Sequence, residues 1–509
     1  MTRPVSRRRD RGSRSAATVP QQPFRQLVLR YPPFAILSAD ELQAIHGTAL
    51  TILEEIGMKV LSERARSLFA AGGAELESGS DRVRFGRDML QAWLARAPSA
   101  FTLHARDPAK TLRVGDGHCI FASVGGPAYV ADLDRGRRQG TYAEQRDFLK
   151  VVQSLNILHQ EGGGPFEALD LDSRTRHLDL YLAQATLLDK NWQPQGLGRD
   201  VALDAIDMAA ISLGRTREAM RDHCVFTTII NTNSPLQLDV PMAEGLIAMA
   251  EHGQCNVITP FTLAGAMSPV TLPGALAQQH AEAMAGIVLA QIVRPGAPVM
   301  YGGFTSNVDM KSGAPAFGTP EYTQAAQVSG QLARLIGVPF RSSNVTAAND
   351  VDAQAAYESM MSLWGAISGG ANLILHAAGW LNGGLTASLE KLVIDAEMLQ
   401  MMAAWCEPLR ITPETLALEA VRDVGPAGHF FGTAHTLARY ESAFYQPMVS
   451  NWDNYDSWAE RGRETAPVKA NRIWKQLLAG YEQPALDPGI GEALEDFVAR
   501  RKRAYLGQA

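Results

Sequence analysis

The chain has 509 residues, is 46% hydrophobic and carries a formal net charge of −6, which is length enough for one large domain with appendages and too acidic a balance for a nucleic-acid-binding surface. Its four cysteines, Cys119, Cys224, Cys255 and Cys406, lie far apart without CxxC spacing, a usage that argues against a disulfide framework and fits a reducing, cytoplasmic setting. No apolar run approaches the roughly 20 residues that a membrane span needs.

In chain order, "MTRPVSRRRDRGSRSAATVPQQPFRQ" is rich in arginine and has no apolar segment, so residues 1–30 read as a disordered basic arm rather than a secretory signal. Residues 31–115 read as a mainly helical N-terminal region. In "SADELQAIHGTALTILEEIGMKV", Ser38 is a cap with Glu41 three residues on, apolar positions recur at helical spacing and Gly57 is the stop. Two more amphipathic stretches, "SERARSLFAAGGAEL" and "GRDMLQAWLARAP", are followed by strand-like "AFTLHA" and "KTLRVG".

From 116 to 411 the chain alternates. Short apolar runs fall at 118–125, 156–163, 191–197, 223–231, 256–263, 298–304, 338–344 and 372–379, each followed by a Gly- or Pro-bearing loop and then a helical pattern. Eight such alternations match a (β/α)8 barrel, with a doubly wound sheet as the alternative fold. In a barrel, function sits at the C-terminal ends of the strands. That rule places at the mouth Gly125, Gly126, Glu161, Gln195, Asn231, Asn233, Thr262, Gly302, Gly303, Phe304, Ser343, Asn344, His376 and Trp380, a set with few charges and no clustered acids. Among the aromatics Trp192, Tyr301, Phe304, Trp364 and Trp380, π faces converging on the axis suit a cation without hydrogen-bond donors; Phe304 and Trp380, each in a glycine-lined loop, fit this best, while Trp364 reads as core.

"LILHAAGWLNGG" carries the sharpest placement, because His376 falls where the last strand ends and Trp380 in the loop after it. Glu390 reads either as a site group or as an ordinary first-turn carboxylate. Neither GxGxxG nor GxxxxGK[ST] occurs, since "GGGPFE" (162–167) lacks the spacing, so no nucleotide cofactor is expected; GxSxG is absent too. His223, Cys224 and Cys255 lie at strand starts, away from the mouth, and no bound metal is expected; zinc held by Cys224 and Cys255 stays as a minor alternative. Residues 412–509 read as a helical extension packed across the barrel.

The segments "SPVTLPGALAQQHAEAMAGIVLAQIVRPGAPVMYGGFTSNVDMKSGAPAFGTPEY" (268–322), "DAQAAYESMMSLWGAISGGANLILHAAGWLNGGLTASLEKLVIDAEM" (352–398) and "GPAGHFFGTAHT" (425–436) resemble the trimethylamine:corrinoid methyltransferase family, over about residues 30 to 490. The resemblance implies a (β/α)8 barrel that moves a methyl group from an amine to the Co(I) of a corrinoid (cobalamin) carried on a separate protein. Family members acting on trimethylamine carry pyrrolysine just before "DAQAxYE"; here that segment is "SSNVTAANDVDAQAAYE", and spacing places Asn349 at the equivalent position. The branch without pyrrolysine is similar to glycine betaine methyltransferases, so the implied substrate is a quaternary amine.

On that reading His376 and Asn349 hold the candidate catalytic positions. Gln195, Asn231, Tyr301, Phe304, Asn344 and Trp380 would bind substrate, and Gly125, Gly302, Gly303 and Gly383 would let the corrinoid protein approach. Trimethylamine methyltransferase activity, and a non-catalytic protein that binds a quaternary amine or corrinoid, remain the alternatives. Assembly as a homo-oligomer stays open.

Overall fold

The structure, a computed structural model, describes residues 19–507. Six parallel strands form one curved sheet: β1 (His118–Ser123), β4 (Thr227–Ile230), β5 (Cys255–Ile258), β6 (Val299–Gly302), β7 (Phe340–Ser343) and β8 (Leu373–Ala378), with β8 returning to pair with β1. The two remaining positions, β2 and β3, contract to single parallel bridges at Gln160 and Asn191. The side-chain amide of Asn191 donates to the Val225 carbonyl at 3.2 Å, carrying the wall on toward β4. Each of the eight sequence windows thus holds one barrel position. β2 and β3 are short because Gly162–Gly164 and Pro194 interrupt the ladder where they fall.

The helices between are α1 (Tyr142–Ser154), α2 (Arg176–Leu187), α3 (Arg199–Ser212), α4 (Val240–Glu251), α5 (Leu272–Val293), α6 (Pro320–Leu335), α7 (Ala353–Ser368) and α8 (Leu389–Trp405). Five of their starts are set by side-chain caps: Thr141 and Glu144 form a capping box on α1, and Asp239, Thr319, Asp352 and Ser388 each accept a backbone N–H. Strand residues alternate between two apolar layers. Ile120, Val257, Met300, Leu373 and Leu375 fill the barrel interior, while Phe121, Ile258, Tyr301, Phe340 and Ile374 face the helices. The antiparallel hairpin Phe101–Leu103 and Leu112–Val114 plugs the N-terminal end of the barrel, the His104 N–H donating to the Cys224 carbonyl at 2.8 Å.

The N-terminal region covers α5. Helix Ala39–Thr51, with the Ser38–Glu41 capping box in place, runs into a π turn at Ile52–Ile56 and stops at Gly57. Helices Glu63–Ala71 and Arg87–Leu94 join it over α5, so α5 is buried almost all round. The expectation of a disordered arm over 1–30 needs correcting in its second half. Residues 1–18 lie outside the described residues, but Leu27–Val28 pairs antiparallel with His118 and Cys119, and the Gln22 N–H donates to Gln400 at 2.9 Å.

At the other end, the chain packs on the barrel's outer helices. Helix Ala466–Ala479 packs on α8 and α1, and helix Pro488–Tyr505 on α2 and α3. Glu390 belongs to this packing: it is buried and accepts from Trp474 Nε1 and Asn471 Nδ2, both at 2.9 Å. Between the two parts runs an arm, 409–447, whose short helices Pro413–Leu416, Leu418–Val424 and Ala434–Leu437 pack extensively on no other element and leave Leu409, Ile411, Phe431 and Phe444 exposed. Among the described residues no helix is long and apolar enough to cross a membrane.

Candidate active site

At the C-terminal ends of the strands lies a cavity of about 670 Å³, lined by Ile229, Arg341 and Leu375 from the strands and by Gly125, Gly126 and Gly384 among its loops. This is where a (β/α)8 barrel concentrates function. Its walls come from successive loops: Gln193 and Gln195 after β3, Asn231 and Asn233 after β4, Thr259 and Phe261 after β5, Phe304 after β6, and His376 and Trp380 from β8 onward.

One side of the cavity is an aromatic corner. The Phe304 ring lies 5.2 Å from Phe261 and 6.2 Å from Trp380, and the His376 ring lies 4.3 Å from Trp380, centroid to centroid. Phe304 is held from behind by Gln279 of α5, whose Oε1 accepts from the Phe304 N–H at 3.2 Å and from the Thr305 hydroxyl at 2.6 Å. Trp380 donates its Nε1–H to the Thr346 carbonyl at 3.2 Å. It lies against Gly384, where a Cβ would come within 2.4 Å of the indole, so only glycine at 384 allows that ring position.

His376 sits at an irregularity of β8. The register with β1 shifts between Ile374 and Ala378, and His376 has φ of 55°. A bulge of this kind re-aims a side chain, and here Leu375 and His376, neighbours in sequence, both line the cavity. Burial, reinforced by the nearby Arg341 charge, holds the imidazole well below its ordinary value, so it is neutral at pH 7. Its Nδ1 faces the Ser343 hydroxyl at 3.4 Å.

Arg341 is the group that the sequence reading passed over. It occupies the inward parity of β7, is 1% exposed and lines the cavity. Its guanidinium carbon stands 5.1 Å from the Phe304 ring centroid. No described carboxylate pairs with it; burial pulls its pKa down to about 10, and the titratable group beside it is the Tyr322 phenol, itself pushed up to about 12 by burial. The cavity's one lining carboxylate, Glu167, is committed to Arg176 at 2.7 Å. The mouth therefore carries a buried cation that a list of amides, glycines and aromatics omitted. A charged residue in the middle of an otherwise uncharged strand window, "VPFRSSN", was the available signal.

The other expected residues divide. Gln195, Asn231, Phe304, His376, Trp380 and Gly125 line the cavity together. Tyr301 does not: it points outward between sheet and helices, its hydroxyl accepting from Gln279 Nε2 at 3.1 Å. Asn344 is wholly buried, donating to the Ala377 carbonyl at 2.9 Å and tying β7 to β8. Gly302 and Gly303 open no path for a partner, because a Cβ would come within 2.1 Å of Thr259 or 2.7 Å of Ser329 inside the packed wall. Gly125 lines the cavity, but the approach that demands glycine there is to the Gly162 carbonyl, 2.0 Å from an added Cβ. Gly383 and Asn349 lie outside the cavity lining, Asn349 exposed and accepting a hydrogen bond from Asn382 Nδ2. Trp192 packs between Tyr181 and Phe226, and Trp364 is half-exposed on α7 against Trp405, so neither faces the axis. Glu161, Thr262 and Ser343 stand behind the lining; Glu161 anchors the Gly162–Gly164 loop by accepting from the Gly163 and Gly164 N–H groups at 3.0 and 2.7 Å. Cys224 and Cys255 are buried in the core at the opposite end of the barrel, the Cys224 thiol pushed up to about 12 by burial.

The chain is similar to known proteins over nearly its whole length. The model of the trimethylamine methyltransferase (MTTB) family matches residues 4–505. A glycine betaine methyltransferase of Desulfitobacterium hafniense (strain Y51) is 36% identical over 471 residues, covering 92% of this chain and 98% of its own. A trimethylamine methyltransferase of Methanosarcina mazei is 27% identical over 481 residues, covering 92% and 96%. Among solved structures, the monomethylamine methyltransferase of Methanosarcina barkeri is 12% identical, covers 87% of this chain and 94% of that one, and superposes with a TM-score of 0.47.

Proposed function

The chain belongs to the trimethylamine methyltransferase family, and from that premise we propose that it moves a methyl group from a quaternary amine, glycine betaine or a close relative, to the Co(I) of a corrinoid carried by a separate protein. The observation that carries this reading is the aromatic corner of Phe304, Phe261 and Trp380 beside an uncharged His376. π faces hold a trimethylammonium group without needing donors on it.

Co(I) supplies a strong nucleophile. The methyl carbon accepts its electron pair while the C–N pair returns to nitrogen, and the rest of glycine betaine leaves as the dimethylglycinate anion, its amine nitrogen neutral, with no proton moved in the step. A tertiary amine such as trimethylamine departs only when protonated or otherwise activated. The cavity's lining offers no proton donor suited to that: His376 is neutral at pH 7 and Glu167 is paired. Asn349, where the resemblance places pyrrolysine, is an exposed amide bonded to Asn382. The aromatic walls hold the methyl group in line, and in favourable cases such alignment supplies about 7–11 kcal/mol of the barrier. Gln279 keeps Phe304 in place and the Trp380 Nε1–H bond fixes the indole.

The partner's corrinoid would enter across the loop edge. Gly126 leaves open space there, with no atom within 4 Å of an added Cβ, and Gly125 and Gly384 flank it. Free buried cysteines throughout support a reducing, cytoplasmic setting for this chemistry. The test mixes the purified chain with Co(I) cobalamin and one amine at a time while following the cobalt absorption. Glycine betaine is expected to convert Co(I), and trimethylamine to leave it unchanged. Reaction with trimethylamine and silence with every quaternary amine would overturn the reading.

A further inference from the structure

A cavity built only to hold a cation has no use for a second cation in its wall. This one contains Arg341, 1% exposed, on the inward face of β7 and next to the aromatic corner that suits an ammonium group. Its Nε and Nη1 find no protein acceptor among the described residues. Buried charges are normally paired, because desolvation without a partner is costly. No neighbour supplies a countercharge: the Tyr322 phenol stays protonated, the cavity's carboxylate Glu167 is taken by Arg176, and the His376 imidazole could add only a like charge. Other buried cations in this chain are satisfied, Lys391 by Asp395 and Ser359, and Lys190 by the Val152 and Leu155 carbonyls.

We propose that Arg341 is the substrate's carboxylate receptor, so that the site selects quaternary amines that carry their own carboxylate and rejects those that do not. This rests on the methyltransfer reading above and sharpens it to a substrate class. The guanidinium presents donors in a fixed fork that matches a carboxylate. Its guanidinium carbon lies over the Phe304 ring, 5.1 Å from the centroid, so the donors stand directly beside the aromatic corner, which suits a carboxylate a few bonds from the ammonium nitrogen. A zwitterion satisfies both at once: its carboxylate neutralises the guanidinium, and its trimethylammonium group lies on the indole and phenyl faces. Choline brings the same head group with a hydroxyl, leaves Arg341 uncompensated and adds a like charge beside it, and discrimination by such a repulsive element is as effective as an attractive one. Arg341 is 1% exposed and lines the cavity, so the carboxylate it meets is one that enters the cavity, as a small molecule does.

Calorimetric titration of the whole chain without any corrinoid tests this. The probes are glycine betaine, choline and 3,3-dimethylbutanoate, the last having the shape and carboxylate of glycine betaine with carbon in place of nitrogen. Wild type is expected to bind glycine betaine at least about 10-fold more tightly than choline, the scale of a charge-assisted pair, and to bind 3,3-dimethylbutanoate measurably. Arg341→Gln should lose at least about 10-fold for both carboxylates and bind choline no worse than wild type does; Arg341→Lys should recover part of the loss. Equal affinity of wild type for choline and glycine betaine, or unchanged glycine betaine affinity in Arg341→Gln, would overturn the assignment. If Arg341→Gln does not fold, the wild-type ranking of the three probes still decides. Binding of 3,3-dimethylbutanoate needs Arg341 but no ammonium group, so a wild type that takes it and shows no methyl transfer from any quaternary amine would sink the proposed function and leave the carboxylate site standing.

Discussion

Several imidazoles in this barrel have no room for a second proton. His159 is wholly buried: its Nδ1 accepts from the Phe121 N–H and its Nε2 donates to the Arg25 carbonyl, both at 2.9 Å. Those partners fix the neutral tautomer, and burial pulls the pKa down to about 4. His280, with Nε2 2.9 Å from His46 Nδ1, is drawn down by burial to about 3. In the unfolded chain both titrate near 6.5, so below that pH the unfolded state takes up protons that the folded state refuses. Stability is then full above pH 6.5 and is lost progressively as pH falls toward 4, by about 1.4 kcal/mol per histidine per unit. Glu161 works the other way, since burial raises it to about 7 and the folded state keeps its proton longer than the unfolded one between about 4.5 and 7. Two imidazoles outweigh one carboxyl, so the urea midpoint should drop between pH 6.5 and 5. His159→Gln should flatten that slope, and an unchanged slope would count against the assignment.

At the scale of the element, β8 is a strand bent to serve a cavity. His376 holds φ of 55° in the middle of it, a conformation that asparagine tolerates and a β-branched residue does not. His376→Asn and His376→Val remove the same imidazole but differ in backbone strain. The valine variant should be less stable than the asparagine variant by about 1–2 kcal/mol in urea unfolding; equal stabilities would mean that the bulge relaxes freely. The same strand shows what a sequence discloses. Its existence was plain from an apolar run bounded by glycines, as were the other seven windows. Which face each residue takes was not, because barrel strands are buried on both faces and their runs do not alternate in polarity. One step of parity is what separates Tyr301, facing helices, from Met300, facing the interior. Asn344 was misplaced in the same way, by where the strand hands over to its loop. Arg341 was missed for a related reason: a charge inside an apolar run has no meaning until its parity is known. Phe304 is legible because a loop residue after a strand end reaches the mouth from most geometries, and Trp380 likewise; His376, expected where the last strand ends, lies inside β8 instead and reaches the cavity through the bulge.

Across the whole molecule, tertiary support is uneven. The arm 409–447 keeps its helix caps but lacks extensive packing on other elements, with Leu409 and Phe431 more than four-fifths exposed at 86% and 84%. Local opening of such a segment costs little. Within residues 19–507, brief trypsin treatment should therefore cut first after Arg410 or Arg422, both exposed, before any bond between β1 and α8, with the sites read by mass spectrometry. First cuts inside the barrel would show that the arm is protected.

Helix α5 stands at the opposite extreme. Its buried polar side chains are tie points: Gln279 holds the Phe304 loop, and Glu282 accepts from Ser234 at 2.8 Å and from the Leu236 N–H at 2.9 Å, holding the loop after β4. The layer formed by Ala39–Thr51 and Arg87–Leu94 hides its outer face. A chain made from its N-terminus completes that layer well over a hundred residues before Leu272–Val293 emerges. The order of synthesis thus gives the longest helix of the barrel, almost wholly buried in the fold, a ready surface to settle on, and spares the nascent chain an interval in which that helix lies bare.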